Sequence, residues 1–514
     1  MEQKAVTLDA VLEKFGLFKS YHLKLLIWVL VAFTSNSVYW SNYLFVTEEI
    51  GYRYECSDEG FGNNTCTVNS TKCTKWIYDN PDSFVAEFQL ACQEWKRSLV
   101  GTIHSLGYMV GLLIVGPFSD RVGRKKTAVL TGVLGGVFGL ARSFTYSYWS
   151  YVALEFVEAA IGDTCSPMYV LNIEIVSTKK RAMYYGLSTI GYIIGNVLLP
   201  FAAWGIPYWR NLLRVVYTPA FLFFFYTYLI DESPRWLLIK GQKKKAIRVL
   251  EKIANENNIV LDKDMLDKLP CGENDVKIKF LTLLKLTFSS RALLKRCLIC
   301  LVWWTTSTFV NFGTLINAVS LEGSKYMNYA LVSIIELPGS FILIYILAKF
   351  KRRNPLILSF LAGGAFCFVQ PFLPVDLPWL SVIAYMASKL FSMLYFNITY
   401  IYTSELFPTY TRNSMHALCS SIGRIGSIIA PQTPLLNYYW VGLPSIVFGI
   451  TAVIAGLLAF LVPDTAGNDL PDTVDQAEAC ESKPVPKTGI DNLGMSKDSI
   501  NQGSERRRND SKIA

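Results

Sequence analysis

Charge is scarce in this chain. Only 17% of its 514 residues are Asp, Glu, Lys or Arg, against roughly 25% in soluble proteins. A chain that is 52% hydrophobic needs a charged wrapping to stay in water, and too little charge is available to wrap it. A soluble enzyme is thereby set aside. Histidine is scarcer still: His22, His104 and His416 are the whole set, and none is expected to carry proton coupling. No Gly-x4-Gly-Lys-Ser/Thr phosphate loop occurs, so nothing supports an ATP-driven pump and energy must come from gradients. Metal-ligand spacings and a nucleophile elbow are also missing, so no metal, cofactor or catalytic residue is expected. Residues 1–20 are polar and the first apolar run is long enough to span, which argues against a cleavable signal peptide.

What the chain has instead is long apolar runs. Mean hydropathy is +0.30, and a helix needs about 20 apolar residues to cross a bilayer. That ruler predicts an all-α membrane protein of twelve spans, near 24–46, 99–119, 127–144, 149–172, 185–204, 211–230, 297–318, 327–349, 355–373, 378–402, 414–435 and 441–462. The expected organisation is an N-terminal segment (1–23), a six-helix bundle (24–230), a polar linker (231–296), a second six-helix bundle (297–462) and a tail (463–514). The linker holds Lys243, Lys244 and Lys245 and a helical pattern, Ile247, Leu250 and Ile253. From about 465 the tail lacks apolar periodicity and is expected to be disordered.

The formal net charge of +9 comes from 49 basic and 40 acidic residues. The basic residues sit in short clusters between apolar runs, which fits the positive-inside rule and not a nucleic-acid partner. Arg121, Arg124, Lys125 and Lys126 follow span 2, Lys179, Lys180 and Arg181 follow span 4, and Lys351, Arg352 and Arg353 follow span 8. Both termini are therefore expected to be cytoplasmic. The loop between spans 1 and 2, about 47–98, collects Cys56, Cys66, Cys73 and Cys92 with glycosylation sequons at Asn63 and Asn69. It reads as an oxidised, glycosylated outside loop, with disulfides in one of three pairings.

An internal repeat joins the two bundles. Glu174 and Arg181, after span 4, are spaced like Glu405 and Arg412, after span 10, and the two glutamates lie 231 positions apart. Glu232 and Asp464, after spans 6 and 12, lie 232 apart. One half resembles the other, the arrangement that lets two bundles rock around a central site. Transport is the leading class on these grounds.

The loop after span 2, Gly116-Pro-Phe-Ser-Asp120-Arg121-Val-Gly123-Arg124-Lys125-Lys126, resembles the signature loop of the major facilitator superfamily. The resemblance implies that Asp120 caps the N-terminus of span 11 in one state and releases it in the other, with Gly123 permitting the turn. At the matching place after span 8 the aspartate and glycine are gone, leaving Ala348-Lys349-Phe350-Lys351-Arg352-Arg353. Glu232-Ser-Pro-Arg235-Trp-Leu-Leu, Tyr402-Thr-Ser-Glu405-Leu-Phe-Pro-Thr-Tyr-Thr-Arg412 and Pro463-Asp464-Thr465 with Leu470-Pro-Asp-Thr473, together with the long Cys-rich loop, resemble the organic cation, anion and carnitine transporter branch. This implies a plasma-membrane carrier of small organic ions working by alternating access, with lipid and substrate as partners and the coupling ion open. Glu174, Arg181, Glu405 and Arg412 are candidates for an ion-pair belt at the gate, or for static pairing.

Charges inside spans are costly, about 2.5 to 3.5 kcal/mol each on insertion scales, so each needs a partner or a role. Glu336 in span 8, Lys389 in span 10 and Arg424 in span 11 are the candidates for substrate binding. Arg424 suits a carboxylate through paired hydrogen bonds, Glu336 an ammonium group, and the bland alternative is an internal ion pair. Trp303, Trp304, Tyr192 and Tyr395 are candidate aromatic walls for a quaternary ammonium. These charges suit a cation or a zwitterion such as carnitine; an organic anion carrier and a non-transporting receptor-like member of the fold are the alternatives. Glu155 and Glu158 in span 4, with Asp163 further in, are expected to pair with Arg142 at the surface, the alternative being a proton or cation site.

Overall fold

The computed structural model describes residues 7–16, 18–56, 73–272, 290–374, 376–407 and 409–464. Asn63, Asn69, Cys66 and the tail from 465 lie outside the described residues, as do the side chains of Cys56 and Cys73.

A backbone in hydrocarbon has no water to bond, so it closes its hydrogen bonds within helices. Among the described residues twelve such crossings are present. In the first half they are Ser20–Ser41 with Tyr43–Val46 (span 1), Glu94–Val122 (2), Arg124–Arg142 (3), Tyr148–Ile161 with Cys165–Ile175 (4), Arg181–Gly205 (5) and Trp209–Tyr217 running on to Leu229 (6). In the second they are Arg291–Asn317 (7), Lys325–Ile334 with Glu336–Lys349 (8), Arg353–Val369 (9), Pro378–Leu406 (10), Thr409–Ile429 running on to Tyr438 (11) and Leu443–Leu458 (12). Among the described residues nine are long and apolar enough to cross by themselves. The exceptions are spans 3 and 11, which carry charge and glycine, and span 4, which is broken.

The breaks follow proline and glycine. Pro338 cannot supply the N–H that would bond one turn back, and span 8 is interrupted just before it, at Ile335. Span 4 opens over Gly162, Asp163 and Thr164, and Asp163 Oδ1 then accepts the Ser166 N–H at 3.1 Å to start the next helix. Spans 6 and 11 tighten into 3-10 turns at Thr218–Phe225 and Ala430–Tyr438, each with proline in its first turn.

Two cores result. One gathers Phe33, Tyr151, Leu171, Leu213 and Phe223 of spans 1 to 6; the other gathers Trp303, Phe360, Tyr402 and Phe448 of spans 7 to 12. Within each half the same two helices approach most closely. A Cβ on Gly191 of span 5 would stand 2.7 Å from the Leu30 carbonyl of span 1, and one on Gly423 of span 11 would stand 2.7 Å from Trp304 Cβ of span 7. The halves meet along span 2 against span 11 and span 5 against span 8.

The all-α expectation needs one correction. Between spans 1 and 2 the chain forms an antiparallel hairpin, β1 (Tyr52–Cys56) and β2 (Cys73–Tyr78), with an irregularity between Glu55 and Cys56. Its alternating aromatic residues, Tyr52, Trp76 and Tyr78, cluster on one side. The short helix Phe84–Glu87 pins this loop to the bundle, because Glu87 accepts from Trp209 Nε1 at 2.9 Å and Arg210 Nε at 3.1 Å. This end is called the hairpin face. At the opposite end, the linker face, helix Lys243–Glu256 buries Leu250 and Ile253, and Lys24 and Tyr21 of span 1 reach Glu256 and Asn257 at 3.1 Å.

Candidate functional site

Arg424 stands at mid-depth, set by the span 7 to span 11 packing. Glycines at 423 and 426 lie against Trp304 and Thr305, and that contact turns the residue between them toward the other half. Its guanidinium lies over the ring of Tyr108 in span 2, 5.4 Å from the centroid. Among the described residues no carboxylate lies within 4.0 Å of it. Asp163, at the break in span 4, is near enough to act on it through space, but its own oxygens bond Ser166. Tyr192 completes this wall: its hydroxyl donates to Cys165 Sγ at 3.1 Å and accepts from Asn36 Nδ2 at 3.0 Å.

The other two candidate charges for substrate binding pair with each other. Lys389 Nζ lies 2.9 Å from Glu336 Oε1 and donates to Asn311 Oδ1 at 2.8 Å and to the Asn311 carbonyl at 2.9 Å. Glu336 sits at the break in span 8 and keeps 20% of its side chain exposed, whereas Lys389 keeps 1%. The aromatic candidates also divide. Trp303, Trp304 and Tyr395 are buried in the second core: Trp303 Nε1 bonds the Ala455 carbonyl at 3.0 Å, Trp304 Nε1 bonds Thr403 at 3.0 Å, and Tyr395 stacks on Phe360 at 4.2 Å. Tyr192 alone of the four belongs to the first half, partly buried among Phe33, Asn36 and Cys165.

At the hairpin face the halves are closed on each other. Lys325 pairs with Glu48, Gln432 bonds Thr102 at 2.7 Å, Tyr329 bonds Asn196 at 3.2 Å, and the rings of Trp40 and Phe312 meet at 4.7 Å. Outside this closure a cavity of about 470 Å³ is lined by Tyr43, Glu49, Arg97, Lys325 and Tyr438. Pro431 also lines it, and seven residues of helix place Arg424 about 10 Å deeper.

The gate candidates are at the linker face. Glu232 Oε1 accepts the N–H groups of Arg124 at 2.9 Å and Lys125 at 3.2 Å, capping span 3. Gly123 has φ of 112°, and a Cβ there would strike the Glu232 carboxylate. Asp120 is 70% exposed and pairs with Arg124 at 2.7 Å, within its own loop and not with span 11. Arg121 is exposed. Of the belt candidates, Glu174 pairs with Arg124 at 3.1 Å, while Arg181 bonds the Ile173 carbonyl at 2.9 Å and faces Asp9, which also holds Arg235 at 3.0 Å. The second half repeats the Arg124 arrangement. Arg352 pairs with Glu405 at 3.2 Å and donates to the Leu347 carbonyl at 2.8 Å, just as Arg124 donates to Ser119 O five residues back at 2.9 Å. The second loop lost its aspartate and glycine but kept the arginine. Arg352 was legible: it lies 228 positions after Arg124, close to the repeat offset. Tyr108 had no signal beyond the glycines that flank it.

Arg142 does pair with Glu155, but not at the surface: both are completely buried. His104 joins them, with Nδ1 2.7 Å from Glu155 Oε1. Cys92 is disulfide-bonded.

Residues 21–431 match the model of the Major Facilitator Superfamily. Solute carrier family 22 member 1 of Bos taurus is 31% identical over 436 residues, 84% of this chain and 77% of that protein. Solute carrier family 22 member 3 of Rattus norvegicus is 30% identical, over 80% of this chain and 75% of that protein. The organic cation transporter protein of Drosophila melanogaster is 31% identical, over 82% and 79%. The inward-open xylose transporter XylE from E. coli shares the fold, with a TM-score of 0.60 at 16% identity over 88% of this chain and 99% of that one. The chain therefore belongs to the major facilitator superfamily and, within it, to solute carrier family 22.

Proposed function

We propose that this chain is a gradient-driven plasma-membrane carrier of small organic ions, with a zwitterion bearing a carboxylate and an ammonium group as its best-fitting substrate. The observation that carries the reading is Arg424, a charge on the seam with no carboxylate within 4.0 Å among the described residues. Lys389 is matched by Glu336, so it adds nothing to a cationic floor for a simple anion. Arg424 and Asp163 stand on opposite halves, and together they are neutral. A substrate carboxylate on the guanidinium, with the ammonium end toward Asp163 and the rings of Tyr108 and Tyr192, would bridge the halves and favour closure around itself. One relative, from Drosophila melanogaster, is named an organic cation transporter protein, which fits the ammonium end of such a substrate.

Orientation follows the same reading. The disulfide at Cys92 suits an oxidising outside for the hairpin face, and the basic loops suit the cytoplasm for the linker face. The retained Arg352 to Glu405 contact weighs against a receptor-like descendant whose gate has decayed.

The test is tracer uptake of L-carnitine, tetraethylammonium and p-aminohippurate in cells displaying the protein, with wild type and Arg424→Ala. A charge-assisted hydrogen bond is worth about 1.5 to 3 kcal/mol, so carnitine uptake is expected to fall about 10- to 100-fold at equal surface expression. Uptake confined to tetraethylammonium and indifferent to the substitution would overturn the assignment and move the site to Glu336.

A further inference from the structure

The buried cluster in the hairpin-side half of the first bundle has no part in holding the organic ion. Gly107 and Gly111 of span 2 let span 4 approach so closely that a Cβ on either would stand 2.6 Å from a span 4 carbonyl. That approach brings His104 onto Glu155 and Glu158, which lie one turn apart on the facing side of span 4. His104 Nδ1 is 2.7 Å from Glu155 Oε1 and 3.8 Å from Glu158 Oε2. Arg142, from the end of span 3, pairs with Glu155 and lies 3.8 Å from Glu158 Oε2. All four are nine-tenths or more buried, with relative exposures of 0% for Arg142 and Glu155, 2% for Glu158 and 3% for His104.

The groups that face this cluster from every packed element can be counted. Span 1 contributes Tyr39 and Tyr43, span 4 Tyr151 and span 6 Tyr217, all neutral phenols. Tyr217 accepts from Arg142 and from Asn42 Nδ2, and the guanidinium lies over the rings of Tyr151 and Tyr217 at 5.5 and 5.0 Å. One fixed positive charge thus faces two carboxylates, and Glu158 Oε2 has no hydrogen-bond partner. With neutral imidazole the cluster carries one uncompensated negative charge in a low-dielectric interior, which is strongly disfavoured. A single added proton removes it. A divalent ion would leave an excess positive charge beside Arg142, and a bare alkali ion prefers oxygen to imidazole.

One side chain, Tyr43, separates the cluster from the hairpin-face cavity. Tyr43 stacks over His104 with centroids 6.4 Å apart, its hydroxyl is unpartnered, and it lines the cavity on the hairpin face. Gly101 makes the space that its ring occupies. Five residues on from Tyr43, just past the end of span 1, Glu48 makes the closing pair with Lys325.

We propose that His104, Glu155 and Glu158 beside Arg142 bind one exchangeable proton, exchanged with the hairpin-face cavity past Tyr43, and that its occupancy is coupled to organic-ion transport. The proton comes from bulk water and sits on His104 Nε2, since Nδ1–H already donates to Glu155, or on Glu158 Oε2, neutralising the cluster and stabilising the closed hairpin face. Its loss leaves a buried negative charge, which is relieved when Tyr43 moves and water enters. The coupling rests on the carrier reading; the proton site does not.

Two readouts separate them. In the purified protein, infrared difference spectra between pH 5 and pH 9 are expected to show a carboxylic acid or imidazole band that disappears in Glu158→Gln and is altered in His104→Gln. Identical spectra in wild type and both variants, each verified as monodisperse, overturn the site. A band displaced at constant pH by sodium or zinc chloride overturns the proton as its ligand. In cells, uptake of the tracer that wild type carries is expected to change at least about fivefold between pH 5.5 and pH 8, the lower end of ordinary coupling between linked sites. Glu158→Gln, neutral without a proton, is expected to flatten that profile while keeping uptake. A profile unchanged by Glu158→Gln overturns the coupling. No uptake of any tracer, with the infrared band intact, sinks the carrier reading and leaves the proton site standing.

Discussion

Lys389→Met tests whether the Glu336 and Lys389 pair holds the second bundle together or waits for substrate. Lys389 is 1% exposed and has three bonds, to Glu336 and twice to Asn311. Removing one partner of a wholly buried pair costs about 3 to 5 kcal/mol, because the other charge is left stranded. Glu336 keeps 20% exposure, so water relieves part of that, and about 2 to 3 kcal/mol is expected. For a bundle of this size the loss corresponds to roughly 5 to 10 °C in the unfolding midpoint. The buried free thiols Cys297, Cys300, Cys367 and Cys419 supply the assay: a thiol-reactive fluorophore reports their exposure as purified protein is heated. Glu336→Gln alone strands the ammonium against Asn311 and is expected to lower the midpoint too. The double variant, Glu336→Gln with Lys389→Met, removes both charges and is expected to recover at least half of the loss, a coupling on the order of 1 to 3 kcal/mol. A double variant that merely sums the singles, or a Lys389→Met protein as stable as wild type, would refute the reasoning and return Lys389 to the substrate.

Gly426→Leu pushes side-chain atoms onto the Thr305 carbonyl and Thr308 hydroxyl; the midpoint is expected to fall by an overpacking cost of about 1 to 3 kcal/mol or more. Gly116→Ala meets nothing within 4 Å and is expected to leave it unchanged, so equal effects would show that the helix contact is misplaced. Arg124→Gln and Arg352→Gln break equivalent contacts, but the first pair is more buried, with side-chain exposures of 9% and 12% against 23% and 20%. Both are expected to destabilise, on the order of 1 to 3 kcal/mol, with Arg124→Gln the costlier in the same assay; the reverse order would sink the burial argument.

Hydropathy alone located the twelve crossings to within a few residues, since each span is a local run whose requirement is set by the bilayer and not by its neighbours. The two-half organisation was equally legible, because a repeat offset is a property of order along the chain. Pairing was not. The repeat named Glu174 as a belt candidate but not its partner, which is Arg124, 50 positions away, because the loops after spans 2 and 4 meet only once the bundle has formed. Trp303 and Trp304 resembled cavity walls in sequence, but the rotation of span 7 against spans 10, 11 and 12 turned them into the core. The hairpin was hidden for another reason: its strands are short and separated by a long stretch, so no local turn signal marks it.

The sequence by itself determined that this protein lives in a bilayer, as two related halves with charge buried at a few positions. Only the tertiary structure decided which of those charges cancel. Whether Lys389, Arg424 or Arg142 meets a carboxylate depends on helix rotation and on glycine contacts between spans far apart in the chain. Those contacts matched Lys389 with Glu336, set one guanidinium against two carboxylates at Arg142, and left Arg424 over Tyr108 on the seam.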